Sequence, residues 1–150
     1  MNLELDFPEK LGFLFEPARY KILYGGRGSG KSWGVARALI AIAVQKPTRV
    51  LCARELQNSI SDSVIALLHD QIKAMGLDSF FDVQRTAIYG INGSEFSFAG
   101  LKHNVTSIKS FEGVDICWIE EGEGLTEEQW EIIEPTLREE GAECWILFNP

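Results

Sequence analysis

Eight consecutive residues near the start of the chain have the composition of a phosphate-binding loop. They fit the pattern G-x-x-x-x-G-K-[ST] and are Gly25, Gly26, Arg27, Gly28, Ser29, Gly30, Lys31 and Ser32. Glycines let the backbone curve around a phosphate and turn successive N–H groups towards it. Lys31 can then reach the β- and γ-phosphates, and the Ser32 hydroxyl can ligate Mg²⁺. The motif predicts a nucleotide site to which all eight residues contribute.

The segments beside this loop follow the order strand, loop, helix that the motif requires. Residues 21–24 form a short, mostly apolar segment that is typical of a strand. Apolar side chains then recur at helical spacing before Pro47, at Val35, Ala38, Leu39 and Ile42. A helix that begins at the loop presents the positive end of its dipole to the same phosphate. A glycine-rich turn that matched the pattern by chance would lack this context.

Two adjacent acids follow a second strand-like run. Residues 114–119 (V-D-I-C-W-I) predict a buried strand, and Glu120 and Glu121 come directly after it. Glu120 would hold Mg²⁺, through water, as a Walker B acid. Glu121 would orient and polarise the water that attacks the γ-phosphate. The alternative is a pair of exposed glutamates at a strand end, but together with the phosphate loop the pair predicts hydrolysis.

Four side chains, Arg27 of the loop and three outside it, are candidates for further contacts with the nucleotide. The Arg27 guanidinium could reach the γ-phosphate and offset charge in the transition state, or it could point to solvent or DNA. With the roles given above for Glu121 and Lys31, the candidate catalytic residues are Glu121, Arg27 and Lys31.

Arg54, at the end of a predicted strand, is either a phosphate or DNA contact or a surface arginine. Tyr20 or Arg19 could stack on adenine, against the alternative of ordinary packing and a surface charge.

The remaining pattern predicts alternating strands and helices. Residues 48–54 read as a strand and residues 59–75 as a helix that Gly76 stops. Alternation in residues 81–100 around Asn92-Gly93 predicts a β-hairpin beside a parallel sheet. Residues 101–113 read as a loop with one helical turn at 105–110, in which His103 is a surface residue.

The last 25 residues predict a helix and a final strand. Thr126 and Gln129 form a capping-box signature at the helix start. Pro135 predicts a kink or break, and Gly141 predicts the helix end. Residues 144–148 (C-W-I-L-F) read as the last strand.

Composition excludes several classes of protein. The 150 residues are 45% hydrophobic and 24% charged, which is typical of one globular domain. No run approaches the length of a membrane span, and the acidic N-terminus does not resemble a signal peptide. Three scattered cysteines, Cys52, Cys117 and Cys144, predict reduced core residues rather than disulfides or a metal site.

The net charge of −8 is concentrated in the last quarter of the chain. Residues 1–111 hold 13 basic and 10 acidic side chains, whereas residues 112–150 hold one basic and 12 acidic. An acidic surface repels the DNA backbone, so any contact with nucleic acid must come from the first part or from a further segment. Most of the acids between 127 and 143 are expected on a solvated helix face.

The order of these elements predicts an α/β fold of the P-loop class. At least one strand, residues 49–54, separates the loop strand from the acid strand along the chain. This arrangement resembles the additional-strand (RecA-like, ASCE) ATPases, with a mainly parallel sheet, helices on both faces and here an inserted β-hairpin. GTPases carry an N-K-x-D motif, which this sequence lacks.

Five segments together resemble the large terminase subunit of tailed double-stranded DNA bacteriophages. They are residues 25–32, the helix after them, Ile108-Lys109-Ser110, Trp118-Ile119-Glu120-Glu121 and Leu147-Phe148-Asn149-Pro150. The likeness extends from about Tyr20 to the last residue, and the arginine-bearing loop and the W-I-E-E strand end are its most specific parts. Many relatives have Asp at the position of Glu120, but the charge is the same.

The resemblance implies a function, cofactors and partners. The activity would be hydrolysis of ATP with Mg²⁺, and it would drive double-stranded DNA through a portal protein into an empty procapsid in the host cytoplasm. The implied partners are a small terminase subunit and further copies of the chain in a ring on the portal, with no membrane. Residues 148–150, Asn149 above all, would couple hydrolysis to motion.

The resemblance also implies a longer parent protein. A fifth strand and a C-terminal RNase H-like nuclease domain would follow, so residues 1–150 would be a truncated P-loop ATPase domain. Two alternatives stay open on the residues alone. One is another additional-strand ATPase, such as a helicase-like remodeller of nucleic acid. The other is a nucleotide-dependent switch, against which the water-polarising Glu121 argues.

Overall fold

The computed structural model describes residues 9–24, 31–54, 64–101 and 111–148. The strands in these ranges are β1 (Tyr20–Tyr24), β2 (Arg49–Arg54), β3 (Phe81–Val83), β4 (Ala87–Gly90), β5 (Glu95–Gly100), β6 (Ile116–Ile119) and β7 (Glu143–Phe148). The α-helices are α1 (Lys31–Gln45), α2 (Ala66–Ala74) and α3 (Glu127–Thr136). Short 3₁₀ helices span Glu9–Phe15 and Gly122–Gly124.

All of these strands form one sheet in the order β1-β7-β6-β2-β5-β4-β3. The first five in this order run parallel, which confirms the predicted α/β class. Strand β7 separates β1 from β6 in space, whereas β2, which separates them along the chain, lies on the far side of β6. The carboxyl ends of β1, β7 and β6 therefore meet at one edge of the sheet.

The predicted hairpin is present, but it is continuous with the parallel sheet. Strands β4 and β5 pair antiparallel around the turn that contains Gly93, whose φ of 92° favours glycine. Strand β5 also pairs in parallel with β2 over its whole length, from Arg49 opposite Glu95 to Arg54 opposite Gly100. The hairpin thus supplies the fifth parallel strand and adds β4 and β3 outside it. The position of β5 inside the sheet agrees with its sequence, because the Phe96 side chain is fully buried there.

Two apolar cores lie on opposite faces of the sheet. One core joins the first 3₁₀ helix, α1 and α2 to side chains such as Val50 and Trp118. The other joins α3 to their sequence neighbours, such as Leu51 and Cys117. Strand residues that alternate between two buried faces are typical of a sheet covered by helices on both sides. The predicted helices on both faces are confirmed.

The ends of α3 agree with the sequence at its start and differ at its finish. The Thr126 hydroxyl accepts the Gln129 N–H at 3.1 Å, and the Gln129 side chain accepts the Thr126 N–H at 2.9 Å, which confirms the capping box. The helix passes Pro135 and ends at Thr136, so the prediction that Gly141 ends it is wrong. Pro135 contributes to the early end, because it has no N–H to donate and its ring crowds the preceding helical turn.

Several other predictions were incomplete or fall outside the described ranges. The 3₁₀ helix Glu9–Phe15 precedes the first strand, and no sequence pattern described above predicted it. Helix α2 covers the second half of the predicted helix at 59–75, and Gly76 follows it with a φ of 71°. Residues 55–63, and residues 102–110 with His103 and the predicted helical turn, lie outside the described residues.

The predictions about cysteine and membranes can be compared with the described part of the chain. Cys52, Cys117 and Cys144 are buried and free, as predicted. Within the described ranges, no group of His, Cys, Asp or Glu is arranged to hold a metal ion by itself. None of the described helices has the length and hydropathy needed to cross a membrane.

Candidate active site

The predicted site residues that the structure describes meet where β1, β7 and β6 end. Lys31 and Ser32 begin α1, which follows β1 across the phosphate loop. Glu120 and Glu121 follow β6, and Phe148 ends β7. Ligands of open α/β sheets bind at this edge, so the sheet order brings these segments together at the expected place.

Ser32 and Glu120 are brought into direct contact, although 88 positions separate them in the sequence. The Ser32 hydroxyl donates a hydrogen bond of 3.1 Å to Oε1 of Glu120. Both were predicted to bind Mg²⁺, and oxygen donors of these two types are ligands that Mg²⁺ accepts. The pair therefore fits a magnesium site.

Glu120 lies in a surrounding that disfavours its negative charge. Burial raises the pKa of the Glu120 carboxyl, and the neighbouring Glu121 acts in the same direction. The hydrogen bond from Ser32 and the charges of Arg54 and Lys31 lower the pKa, but burial outweighs them. A cation next to this carboxylate would relieve the unfavourable charge.

Glu121 has a left-handed backbone and a fixed side-chain partner. Its φ of 59° and ψ of 53° are uncommon for a residue other than glycine. Its carboxylate forms an ion pair with the Arg54 guanidinium at the end of β2, and this hydrogen bond raises the pKa of Arg54. Neither open interpretation of Arg54 included this contact. Sequence reasoning missed it because only the adjacency of β2 and β6 in the sheet brings the two residues together.

Lys31 is buried at the beginning of α1, with 7% of its surface exposed. Its ammonium donates a hydrogen bond of 2.9 Å to the backbone carbonyl of Phe148. The Phe148 ring stacks on Tyr24 of β1, with ring centroids 5.1 Å apart and an angle of 16° between planes. The lysine of the phosphate loop is thereby joined to the ends of β1 and β7.

The turn after the two acids packs tightly on β7. A Cβ atom at Gly122 would lie 2.5 Å from Cγ2 of Ile146 and 3.1 Å from both the Leu147 carbonyl oxygen and the Phe148 ring. No side chain fits there without movement of β7 or of the turn. The absence of a side chain at Gly122 therefore allows the turn with the two acids to pack closely on β7. This role could not be predicted from the residue type alone.

A cavity of about 300 Å³ lies beside Lys31, between the first 3₁₀ helix and β1. It is lined by Lys10, Leu11, Phe13, Ile22, Leu23, Tyr24 and Lys31. Neither Arg19 nor Tyr20, the predicted adenine contacts, lines it. Arg19 instead pairs with Glu134 of α3 at 2.9 Å and the Tyr20 ring packs on Trp130, in agreement with the alternative of ordinary packing.

The remaining predicted site residues lie outside the described part of the chain. They are Gly25, Gly26, Arg27, Gly28, Ser29, Gly30 and Asn149. Their predicted contacts with phosphate, and the coupling role of Asn149, stay predictions.

Comparison of the sequence with known proteins gives one family, and comparison of the structure gives a shared fold. The sequence profile of the family described as phage terminase large subunit matches residues 17–150. The chain is 30% identical over 104 residues to the PBSX phage terminase large subunit of Bacillus subtilis strain 168, which covers 68% of this chain and 24% of the relative. It is 31% identical over 124 residues to the terminase large subunit of Bacillus phage SPP1, covering 77% and 29%.

A solved structure shares the fold at lower identity. The large terminase of the thermophilic bacteriophage D6E superposes with a TM-score of 0.75 at 16% identity, over 91% of this chain and 35% of that one. The same protein in complex with ATP-γ-S superposes with a TM-score of 0.69 at 14% identity, over 93% and 36%. The chain spans about a quarter of the length of the two curated Bacillus relatives. The match over residues 17–150 shows that the chain belongs to the phage terminase large subunit family.

Proposed function

We propose that this chain is the ATPase domain of a phage DNA-packaging motor, in which hydrolysis of Mg·ATP drives double-stranded DNA into a procapsid. The observation that carries the proposal is the contact between Ser32 and Glu120, beside Lys31 and Glu121, at the ends of β1, β7 and β6. The D6E large terminase was solved in complex with ATP-γ-S, which supports nucleotide binding by this chain. A pure binding module would not require Glu121 next to this pair.

The residues present fit Mg²⁺ as the partner of the nucleotide. Ser32 and Glu120 would hold it, and the buried carboxylate of Glu120 would regain a favourable charge balance on binding. When bound, the ion would neutralise charge on the β- and γ-phosphates. Lys31 would bind the phosphate oxygens directly, because its ammonium already lies at the end of β7, where it donates to the Phe148 carbonyl.

Glu121 supplies the base for the chemical step. Its carboxylate would accept a proton from water as the water oxygen bonds to the γ-phosphorus and the bond to the β-phosphate oxygen breaks, giving ADP and phosphate. The ion pair with Arg54 would hold this carboxylate in one orientation until water and ATP are in place. Arg27 within the loop would offset charge on the transferred phosphoryl group.

The cavity beside Lys31 is the site that we assign to the adenine base. It opens next to the residue that would bind the phosphates, and its wall combines apolar Leu11 and Ile22 with the rings of Phe13 and Tyr24. Such a wall suits a planar aromatic ring.

Binding and hydrolysis can be separated with two variants. Lys31→Ala should weaken ATP binding roughly 10- to 100-fold, because hydrogen bonds to charged groups are worth about 1.5–3 kcal/mol. Glu121→Gln should bind ATP normally and lose roughly 10²- to 10⁴-fold in turnover, because an amide does not accept the proton. Calorimetric binding and phosphate release are the measurements, with exposed Lys46→Ala as the matched control. Normal ATP affinity in Lys31→Ala would remove this residue from the site.

The motor role is tested in the parent protein, which we propose to be longer than this chain. The relatives are about four times the length of the match, which leaves room for the nuclease domain that the resemblance implies. Parent protein with Glu121→Gln should fail to package double-stranded DNA into procapsids that carry portal protein. Packaging at the normal rate would contradict the proposal.

The charge distribution supports a division of surfaces in the proposed ring. Glutamates of α3 and the segment after it are exposed, and they are Glu127, Glu128, Glu131, Glu139 and Glu140. This face would repel DNA, so it would turn away from the DNA and be available to basic surfaces of portal protein, small terminase subunit or a neighbouring copy.

A further inference from the structure

Phe148, the last residue of β7, contacts each of the other segments that build the site. Its carbonyl oxygen accepts the hydrogen bond from Lys31 at 2.9 Å. Its ring stacks on Tyr24, the last residue of β1, and lies where a Cβ atom at Gly122 would be 3.1 Å away. The ring of the residue that carries this carbonyl is therefore packed from two sides, by β1 and by the turn that carries Glu121.

The hydrogen bond from Lys31 to this carbonyl has a competitor. The ammonium is buried, so its charge requires good acceptors close by. A backbone carbonyl is neutral, whereas phosphate oxygens are charged and form hydrogen bonds about twice as strong. When a triphosphate arrives at the loop, the stronger acceptor therefore lies within reach of the same ammonium.

We propose that the Phe148 carbonyl is the acceptor that Lys31 exchanges for phosphate oxygens when nucleotide binds, and that Tyr24 is the positioning residue that holds this carbonyl in place. The end of β7 thereby responds to phosphate without touching it. This inference rests on the proposed function, because it requires that Lys31 bind the nucleotide. Through this exchange, nucleotide binding changes the hydrogen bonding at the end of β7.

The Phe148 carbonyl can be observed alone by nuclear magnetic resonance. Phe148–Asn149 is the only Phe-Asn step in the sequence. Protein labelled with ¹³C-carbonyl phenylalanine and ¹⁵N-asparagine therefore gives one signal that correlates this carbonyl with the next amide. Loss of a hydrogen bond at the oxygen moves the carbonyl signal to lower frequency, and saturating Mg·ATP-γ-S is expected to produce this shift.

A lysine variant tests the hydrogen bond without nucleotide. Lys31→Met keeps most of the apolar stem and removes the ammonium. Without nucleotide, its carbonyl signal should already lie near the position that wild type reaches with Mg·ATP-γ-S. Lys46→Met, at an exposed position, should leave the signal unchanged. A Lys31→Met signal at the nucleotide-free wild-type position would overturn the proposal.

The role of Tyr24 is tested by a double-mutant cycle. Tyr24→Leu removes the stacked ring and should move the nucleotide-free signal towards that of Lys31→Met, while Tyr24→Phe should restore the wild-type position. In the Lys31→Met background, Tyr24→Leu should add no further shift, since its effect acts through the hydrogen bond. If Tyr24→Leu shifts the carbonyl signal equally in the wild-type and Lys31→Met backgrounds, the shift is only a ring-current effect. That result would overturn the assignment of Tyr24 as the positioning residue.

Nucleotide binding is measured in the same samples by the fluorescence of a labelled ATP analogue that the unlabelled nucleotide displaces. If wild type binds nucleotide and the carbonyl signal does not move, the exchange is wrong and the proposed function stands. If wild type does not bind nucleotide, the proposed function fails and this inference fails with it.

Discussion

Glu121 combines an uncommon backbone with a charged partner. Among the described residues other than glycine, it alone has a positive φ. A left-handed residue with a Cβ costs roughly 1–2 kcal/mol, and the ion pair with Arg54 offsets part of this cost. Side chains held in such conformations concentrate at functional sites, which agrees with the role proposed for Glu121.

The first prediction concerns Arg54. Arg54→Ala should lower the turnover number roughly 10²-fold while changing KM for ATP much less, because a misplaced catalytic group can cost about that factor. Arg54→Lys keeps the charge but not the planar guanidinium, so its turnover number should lie between those of the parent and Arg54→Ala. Steady-state ATP hydrolysis measures both constants. A faster Arg54→Ala enzyme would mean that the ion pair withholds Glu121 instead of orienting it.

The second prediction concerns pH and Glu120. The pKa of this carboxyl is raised in the folded state above the reference value of 4.5, so between the two values the folded chain binds more protons than the unfolded chain. Stability is therefore lost as pH rises through this interval. Without nucleotide, Glu120→Gln should raise Tm at pH 7, and the gain should vanish below about pH 4.5, where both states of the parent are protonated.

Thermal unfolding at the two pH values measures this effect. Exposed Glu131→Gln is the matched control and should change Tm at neither pH. A Glu120→Gln protein that is less stable than the parent at pH 7 would contradict the prediction. Mg·ATP should stabilise the parent more than the variant, since the amide is the poorer cation ligand.

Sequence reasoning identified single residues where a motif assigns their chemistry. Lys31, Ser32 and Glu120 belong to motifs whose roles follow from residue type and spacing, and the structure brings them together. The partner of Glu121 was not predictable in this way. Arg54 contacts it only because β2 lies next to β6, and strand order across a sheet is not contained in local pattern.

At the scale of elements, Gly122 is the point where the turn after β6 meets β7. The third prediction is that Gly122→Ala destabilises the chain by about 1–3 kcal/mol, because the added methyl overlaps Ile146 and overpacking costs about that much. Urea unfolding is the measurement. Gly12→Ala is the control, since a Cβ there meets nothing within 4 Å. Equal stability of the two variants would show that β7 yields easily.

Other element predictions were incomplete where contacts with a second element determine the structure. Alternation in residues 95–100 predicts a strand, and a hairpin turn predicts its antiparallel neighbour, but neither indicates that β2 lies on its other side. Helix α3 shows the same limit. Its capping box is local and was predicted, whereas its end at Thr136 reflects both Pro135 and the burial of Leu137 against the sheet.

At the scale of the whole molecule, β1 is the edge strand on the side of the site. Among the described strands it pairs only with β7, and its alternate residues Tyr20, Ile22 and Tyr24 are exposed. An apolar strand with an open edge favours aggregation. The chain already contains five parallel strands, because β5 pairs with β2, so the expectation that the fifth strand lies beyond this chain is wrong. A further strand of the implied longer protein could add at this open edge.

The fourth prediction therefore compares residues 1–150 with the longer parent protein that we propose. The short chain should bind Mg·ATP, hydrolyse it slowly and leave DNA uncut with any divalent metal, since the implied nuclease residues lie elsewhere. The parent should be faster, and faster again with DNA and portal assemblies. Phosphate release and DNA cleavage assays measure this. Metal-dependent cleavage by the short chain would contradict the separation of activities.

The register of β1 against β7 also has a consequence for synthesis of the chain. Tyr20 pairs with Cys144 and Tyr24 with Phe148, and no nearer part of the described chain pairs with β1. A ribosome adds roughly 5–20 residues per second, so β1 waits on the order of ten seconds for its neighbour. During this interval its aromatic residues lie open to other nascent chains. A chaperone that covers extended apolar segments would thus act on β1 before the phosphate loop has a complete strand end beside it.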